Sequence, residues 1–470
     1  MIAGKYDRIS SLPDAILVDI LSLIALNDAV TMSFVSRRWL HLWAEVTTIY
    51  IVIKQSKGPF KYWTTSAKKI LPKLTSPLIR RFCLDIECGV NKYGLEQIDL
   101  WFNRVSDRWK IEEIKVSTNG YEGLISFPVI FQIHSLLVLE LYGDISLNLP
   151  LNVVKIPNLK KLAIQINFTQ TKQCMFFETL MKSCPLLEDL SLHFCAIICR
   201  TGYLVPNKIS LLGPNLKKLN ISFSGQNLMK TIVIDAPNLE CLKLGSSNYG
   251  LPNFSFVNTP TMLVEAYISG NLSKGEVTTK FFNAISRVRS LGVWRPMIGG
   301  AMTTMFVNLT RLICTMPCSG KDSKALLGLL ERCPLLETLT ANFTSSGTWE
   351  YMWLLCYLEA PNVLIRTKKV EMHFMSSLML NNDALNLIKY LLTRARVLDR
   401  FIIKITTDPS GEILEEEKVQ EVEACKEIFD WLRFLSTGYQ VEFWGRYLRI
   451  IQSGEECKFI KGPNGYIICK

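Results

Sequence analysis

The sequence predicts an α/β protein with a short three-helix N-terminal domain, a solenoid of parallel strands with returning helices or loops, and a mixed α/β C-terminal cap. Three observations predict this order. The first fifty residues are apolar with helical spacing, an apolar motif recurs at nearly even steps between 111 and 341, and the last ninety residues alternate between helix and strand patterns. The predicted domain boundaries are 6–50, 51–355 and 356–470.

The composition is typical of a globular protein of two or three domains, because 49% of the 470 residues are hydrophobic and 20% are charged. Asp14, Asp19 and Asp28 interrupt the apolar N-terminal run. A signal peptide or a membrane span would need an unbroken apolar core, so we expect no membrane association. The 14 cysteines then indicate reduced, buried thiols in a cytoplasmic protein, a nuclear protein or both.

The formal net charge is +11, but the basic residues form no dense tract. A nucleic-acid-binding surface is usually visible in the sequence as a cluster of Lys and Arg. We therefore expect no nucleic-acid partner.

The N-terminal segment carries more apolar side chains than it can bury by itself. Ile16, Leu17, Ile20, Leu21 and Ile24 recur at helical spacing and predict one apolar stripe. A second helix is predicted near 27–34, and a third around 39–43, where two tryptophans occur. A segment of about 40 residues rarely builds a sufficient core, so these side chains must be shared with the next domain or with another protein.

This segment resembles an F-box over residues 8–48. The resemblance is carried by "LPDAIL" at 12–17, "DAV" at 28–30 and "SRRWLHLW" at 36–43. It implies that a small Skp-type adaptor, and through it the cullin and RING subunits of a Skp/cullin/F-box ubiquitin ligase, binds the helices. The implied adaptor-binding residues are Leu12, Pro13, Ile16, Leu17, Ile20, Leu21, Val30, Val35, Trp39 and Trp43.

Two features of the segment depart from the family pattern. Ala15 stands where the family often has an acidic residue, and Ala25-Leu26 stands where it usually has Leu-Pro or Phe-Pro. Either departure could weaken adaptor binding. A different interpretation also stays open, in which the helices only cap the apolar end of the solenoid.

The repeat is visible as near-identical sequences, with "PNLKKL" at 157 and 214 and "CPLLE" at 184 and 333. Its general form is apolar-x-x-apolar-x-apolar, with steps of 21 to 29 residues. That form and spacing are the leucine-rich-repeat signature, in which each unit contributes one parallel strand. The frame begins at Ile111, Leu136, Leu159, Leu187, Leu216, Leu239, Leu263, Val288, Leu309 and Leu336. Amphipathic helices are predicted between some strands, at 95–109, 175–184, 278–288 and 324–332.

In such strands the frame residues point into the core, while the residue after the second frame position and the residue after the third face the concave surface. Among those residues, Tyr142, His193, Tyr267 and Trp294 have the size expected of binding anchors. We therefore predict them as substrate-binding residues. A purely structural role, with the side chain covered by a neighbouring loop, is an equally good interpretation of each.

The sequence of the C-terminal cap, called the tail below, predicts the order helix, strand, helix, strand. The first helix and its strand fall within 383–405, with the strand over Phe401–Ile405. The next helix begins in an acidic stretch at 412–427, predicted to be a solvated face, and "YQVEFW" predicts the last strand. Residues 360–445 resemble the FBD region of plant F-box/leucine-rich-repeat proteins. Such a region would close the open edge of the solenoid.

No catalytic or metal-binding motif is present. The four histidines form no His-Glu-x-x-His, and neither a phosphate loop nor a Gly-x-Ser-x-Gly elbow occurs. Cys184, His193, Cys195 and Cys199 are zinc-ligand types, but their spacing is not that of a structural zinc site. We therefore predict no catalytic residue, no metal and no cofactor.

The function predicted from the sequence is that of a non-enzymatic, substrate-recognition subunit of a Skp/cullin/F-box ubiquitin ligase that binds a protein target through the solenoid. The alternative is an interaction scaffold whose helices no longer engage a ligase. A small-molecule receptor would need a basic pocket, and Lys115 and Lys243 are too few to form one.

Overall fold

The structure is a computed structural model. It describes residues 9, 11–34, 37–54, 67–87, 92–118, 127–143, 154–167, 179–195, 208–224, 229–272, 275–294, 304–318, 320–346, 364–380, 382–405, 415–432, 439–453 and 456–460. The chain forms two compact units, Met1–Asn238 and Leu239–Lys470. Within the described residues, no helix has both the length and the apolar composition needed to cross a membrane. The same residues contain no group of three or more His, Cys, Asp or Glu side chains placed to hold a metal ion.

The first unit begins with the predicted helices, α1 (Asp14–Leu21) and α2 (Leu26–Met32). The predicted third helix is instead two 3-10 turns, Arg37–Leu40 and Leu42–Glu45. A segment this short forms too few helical hydrogen bonds to offset nucleation of a regular α-helix. The helices and turns up to Glu45 are called the head below.

A parallel sheet follows the head in the first unit. Its strands pair in the order β1, β2, β3, β4, β5, β6, β8, while β7 pairs with β9 apart from it. A helix, α3 (Lys92–Arg108), connects β2 to β3. The strands are β1 (Thr48–Ile53), β2 (Arg81–Ile86), β3 (Glu113–Thr118), β4 (Val138–Gly143), β5 (Lys161–Asn167), β6 (Asp189–Cys195), β7 (Lys208–Leu212), β8 (Lys218–Ser224) and β9 (Thr231–Asp235).

The second unit contains another parallel sheet, in which β10 and β12 to β18 pair in order, and β19 and β20 then continue it antiparallel. Its strands are β10 (Cys241–Gly250), β11 (Asn253–Phe256), β12 (Glu265–Asn271), β13 (Ser290–Trp294), β14 (Arg311–Cys318), β15 (Thr338–Ser346), β16 (Lys369–Phe374), β17 (Arg400–Ile405), β18 (Gln440–Trp444), β19 (Arg449–Ser453) and β20 (Glu456–Ile460). Its helices are α4 (Glu276–Ala284), α5 (Gly320–Leu330), α6 (Asn382–Arg394) and α7 (Glu415–Leu432).

The predicted repeat frame is confirmed at all ten positions. In each case a strand begins two residues after the first frame residue, and no frame residue is more than 5% exposed. The helices predicted at 95–109, 278–288 and 324–332 are α3, α4 and α5. The helix predicted at 175–184 is described only from 179, where residues 179–183 are helical.

The sequence search missed three repeats that have the same frame. In β1 the frame residues are Val46, Ile49 and Ile51, each 6% exposed or less. The frames of β2 and β16 begin at Ile79 and Thr367. Val, Ile, Phe and Thr replace leucine at these positions, and a buried strand accepts them equally well. The frames of β1 and β2 fit the apolar pattern itself, and only the frame of β16 has a polar residue, Thr367, at its first position.

Successive repeats are joined by the same backbone contact. At most junctions, one carbonyl before a strand accepts hydrogen bonds from two consecutive amides of the next repeat. Leu137 O, for example, accepts from the amides of Lys160 at 2.8 Å and Lys161 at 3.0 Å. Glu337 O makes this contact with the amides of Lys368 and Lys369, and Lys368 O makes it with those of Asp399 and Arg400, so the contact continues beyond the predicted domain boundary at 355/356.

The tail therefore continues the parallel repeats before it changes pattern. Its predicted helix, strand, helix, strand order is confirmed by α6, β17, α7 and β18. β16, β17 and β18 pair in parallel with the preceding strand, and the antiparallel pairing begins only at β19. The boundary at 355/356 lies outside the described residues and stays a prediction.

Helix α3 carries buried polar atoms without partners. Within the described part of the chain, no hydrogen bond reaches Gln97 Oε1, Asp99 Oδ1 or Trp101 Nε1. Burial raises the pKa of Asp99 from its ordinary value of 3.8 to about 6. Ionisation of Asp99 therefore costs more free energy in the folded protein than in the unfolded chain.

We expect Asp99→Asn to raise the free energy of unfolding at pH 7 by about 1 kcal/mol. This is less than the full pKa shift would give, because Asp99 is only half-buried and water screens its charge. The unfolded carboxyl group ionises first as pH rises. The wild type should therefore lose stability relative to the variant between about pH 4 and 6, with a constant difference above. Urea unfolding at several pH values measures this. Asp107→Asn, at an exposed position on the same helix, is the control and should change stability by less than about 0.5 kcal/mol at pH 7. An equal gain of stability in both variants would contradict the assignment.

Candidate functional site

The head exposes a second apolar face on α1. Leu17, Val18 and Leu21 are 0%, 9% and 1% exposed and pack inward. Ile16 and Ile20 are 44% and 37% exposed, and their spacing of four residues places them on one side of the helix. Leu23, which is 77% exposed, lies two residues beyond the end of α1. The helix is thus apolar on both sides, and within the described residues only its inward side is covered.

The rest of the head also exposes large apolar side chains. The exposed apolar set is defined as Ile9, Ile16, Ile20, Leu23, Met32, Phe34 and Leu40, whose exposed fractions range from 37% to 84%. Single exposed apolar residues are ordinary, but so many in one short segment are typical of an interaction surface. The set is therefore the candidate functional site.

The predicted adaptor-binding residues divide into three groups in the structure. Ile16, Ile20 and Pro13 are exposed, and Leu12, Val30 and Trp43 are half-buried. Leu17, Leu21 and Trp39 are at most 7% exposed. Val35 lies outside the described residues.

Leu17, Leu21 and Trp39 are already buried within the chain and offer little surface to an adaptor. Adaptor contact by the ten residues stays a prediction. Sequence reasoning also missed Leu23, Met32 and Leu40 as surface residues. Leu23 could have been found, because it follows Ile20 by three residues and continues the apolar spacing of the sequence.

Arg38, in the first 3-10 turn of the head, forms hydrogen bonds to residues at the start of α1. Arg38 donates to Asp14 Oδ1 through Nε at 2.8 Å and through Nη2 at 2.5 Å, and Nη2 also donates to the carbonyl of Leu12 at 2.5 Å. The Asp14 side chain is 61% exposed, so the ion pair adds little stability. Its effect is to hold the start of α1 against the first 3-10 turn.

The head is fixed to the first repeats by backbone hydrogen bonds. The amide of Thr47 donates to Ser22 Oγ at 3.0 Å, which in turn donates to the carbonyl of Val18 at 2.8 Å. The carbonyl of Ala44 accepts from the amide of Thr75 at 2.7 Å. The exposed apolar set is therefore presented from a rigid base.

The predicted substrate-binding residues of the first unit differ in accessibility. Tyr142 is 36% exposed, and the ammonium group of Lys115 lies 5.9 Å from its ring centroid. His193 is half-buried, its Nδ1 lies 2.6 Å from Ser222 Oγ, and burial lowers its pKa. His193 is thus a neutral side chain bonded to the neighbouring strand, whereas Tyr142 is open to a partner.

In the second unit, Tyr267 is 38% exposed and lies over the backbone of Gly292 on the next strand. A Cβ at Gly292 would come within 2.0 Å of Tyr267 Cδ2, so the glycine makes room for the ring. Trp294 is half-buried and lies beside Thr315, which accepts a hydrogen bond from Asn342 at 3.2 Å. Substrate binding by the four aromatic residues stays a prediction.

Comparison with known proteins associates the head with one family. An F-box domain model matches residues 9–47. An F-box protein of Arabidopsis thaliana is 30% identical over 56% of this chain and 80% of its own length. A putative F-box/FBD/LRR-repeat protein of the same plant is 28% identical over 72% of this chain and 75% of its own length.

Another relative, an FBD-associated F-box protein of Arabidopsis thaliana, is 30% identical over 56% of this chain, and the match spans 61% of that relative. A chain in a solved structure of the Toll–Spatzle complex of Drosophila matches 85% of this chain and 51% of its own length, with 10% identity and a TM-score of 0.41. The fold described above rests on the strand registers of this chain alone.

Proposed function

Because the chain belongs to the plant F-box proteins that carry leucine-rich repeats and an FBD region, we propose that it is the substrate-recognition subunit of a Skp/cullin/F-box E3 ubiquitin ligase. The head docks a Skp-type adaptor, which connects it to the cullin and RING subunits. The strands of the repeats bind a protein target. The protein acts in the cytoplasm, the nucleus or both.

The observation that carries this proposal is the outward apolar face of α1. A large apolar side chain that becomes fully buried in a complex stabilises that complex by about 1.5–3 kcal/mol. Ile16, Ile20 and Leu23 therefore favour a partner that covers them, and an adaptor that binds the F-box supplies such a surface. The rigid attachment of the head to β1 and β2 lowers the entropy lost on binding.

The chain itself contributes proximity in this function. A target held on the repeats stays near the conjugating enzyme carried by the other subunits. Tethering of this kind raises the effective concentration to roughly the millimolar range. No catalytic group of this chain is required.

Coexpression with a Skp-type adaptor tests the proposal. The full chain and the adaptor should coelute in size-exclusion chromatography as a one-to-one complex. If the chain elutes alone as a monodisperse species in the presence of excess adaptor, the proposed function is wrong.

A second candidate function is an interaction scaffold outside any ligase. It is favoured by the departures from the family pattern, Ala15 on the exposed side of α1 and Ala25 at the N-cap of α2. Reconstituted ubiquitylation separates the two functions, because a scaffold would bind its target and leave it unmodified.

A further inference from the structure

The last three parallel strands carry a concentration of charge on their polar face. Here β16, β17 and β18 place one residue each in three neighbouring rows. The rows are Lys369, Arg400 and Gln440; Glu371, Ile402 and Glu442; and His373, Lys404 and Trp444. The row that contains Glu371 and the row that contains His373 continue onto β13, β14 and β15, where they contain no charged residue. The three rows on β16, β17 and β18 are called the charged face.

The carboxylates of the charged face lie deeper than its cations. The side chains of Glu371 and Glu442 are 16% and 2% exposed, whereas those of Lys369, Lys404 and Arg400 are 40%, 39% and 49% exposed. A cation that projects beyond the carboxylate below it presents positive charge to an approaching partner.

Two of the three cations already have a short ion pair. Lys369 Nζ lies 2.8 Å from Glu371 Oε1, and Arg400 Nε donates to Glu442 Oε1 at 2.8 Å. Lys404 Nζ lies 4.0 Å from Glu371 Oε1, an oxygen that Lys369 already contacts. The charge of Lys404 is therefore the least neutralised of the three.

An aromatic ring that is fixed by a hydrogen bond lies beside Lys404. Trp444 is the neighbour of Lys404 on β18, and its indole N–H donates to Glu442 Oε2 at 2.8 Å. The guanidinium carbon of Arg449 lies 5.2 Å from the Trp444 ring centroid, which adds a second cation at this edge. On the other side, burial and the charge of Lys404 lower the pKa of His373, so His373 is neutral near pH 7.

We propose that the charged face binds an acidic segment of a protein partner, with a Glu or Asp carboxylate at Lys404 and an apolar part of the segment against Trp444. This inference rests on the proposed function and names the class of target that it would recognise. A nucleic acid fits less well, because these strands span only about 10 Å and two carboxylates lie in the floor.

Fluorescence anisotropy with a labelled hexaglutamate peptide tests the inference on the full chain, purified with its adaptor if required. Lys404→Ala should weaken binding about five-fold, and Lys404→Glu should weaken it more than ten-fold. Binding should also weaken as NaCl is raised, because the contact is exposed. Within the described residues, Lys404 has one ion pair, at 4.0 Å, so neither variant should alter the fold.

Lys243→Ala is the matched control, because Lys243 is an exposed lysine on the same face of β10. It should leave peptide binding within two-fold of the wild type. Equal loss in both lysine variants, no loss in Lys404→Ala, or tighter binding of an oligothymidylate of equal charge would each overturn the inference. None of these outcomes depends on adaptor binding, so failure here is distinguishable from failure of the proposed function.

Discussion

Ile20→Asp should abolish coelution of the chain with a Skp-type adaptor while leaving its fold intact. Ile20 is 37% exposed in the free chain, so a carboxylate there stays in water and costs little stability. In a complex that covers this face of α1, the same carboxylate would be buried without a partner, at a cost of several kcal/mol. We expect adaptor affinity to fall more than 100-fold, measured by isothermal titration calorimetry.

Two variants separate loss of the interface from loss of the fold. Val257→Asp introduces the same charge at an apolar residue of the second unit that is 58% exposed, and should leave adaptor binding unchanged. Leu17→Ala removes a fully buried side chain on the same helix as Ile20, and should lower the free energy of unfolding by about 2–5 kcal/mol. Full adaptor affinity in Ile20→Asp would show that the outward face of α1 is not the docking surface.

Glu421→Ala should lower the free energy of unfolding of the second unit by about 3–5 kcal/mol. Glu421 is 0% exposed although it lies in an acidic helix. Its Oε1 accepts from the amides of Tyr447 at 2.8 Å and Leu448 at 2.9 Å, and Oε2 accepts from the amide of Arg446 at 3.1 Å. The alanine variant would remove the carboxylate from these three hydrogen bonds and leave a cavity in its place.

Chemical denaturation monitored by tryptophan fluorescence measures this loss. Glu423→Ala, an exposed glutamate two residues along α7, is the matched control and should change stability by less than about 0.5 kcal/mol. Gly445→Ala should be as damaging as Glu421→Ala, since its Cβ would lie 1.9 Å from Glu421 Oε1. Equal stability of the Glu421 and Glu423 variants would show that this carboxylate does not hold the β18–β19 turn.

Glu421 also corrects the prediction that residues 412–427 form a solvated acidic face. Glu427 and Glu423 are exposed as predicted, but Glu421 turns inward to the backbone that follows Trp444. The pattern of charges along α7 does not distinguish them, because the partner of Glu421 is a turn 25 residues later in the chain. Burial raises the pKa of Glu421, and the amide hydrogen bonds offset part of that effect.

The charged face was missed for a related reason. The predicted apolar frame ends with the repeat that begins at Leu336, so the sequence does not predict β16 and does not assign His373 to a row. β17 and β18 were predicted as strands, but their register with β15 was not. Only the pairing of these strands brings His373, Lys404 and Trp444 side by side.

The sequence by itself determined the repeat and the family of the head. Both are local: a buried strand needs apolar residues at every second position, and the frame from Ile111 to Ala341 records this directly. The tertiary structure decided which apolar side chains remain exposed and can contact a partner. Leu17 and Ile20 have the same apolar character and lie on one helix, yet only the packing of α1 onto the turns at 37–45 buries one and exposes the other. Hydrophobicity specifies that a residue prefers burial, whereas the partner that buries it is set by the arrangement of distant segments.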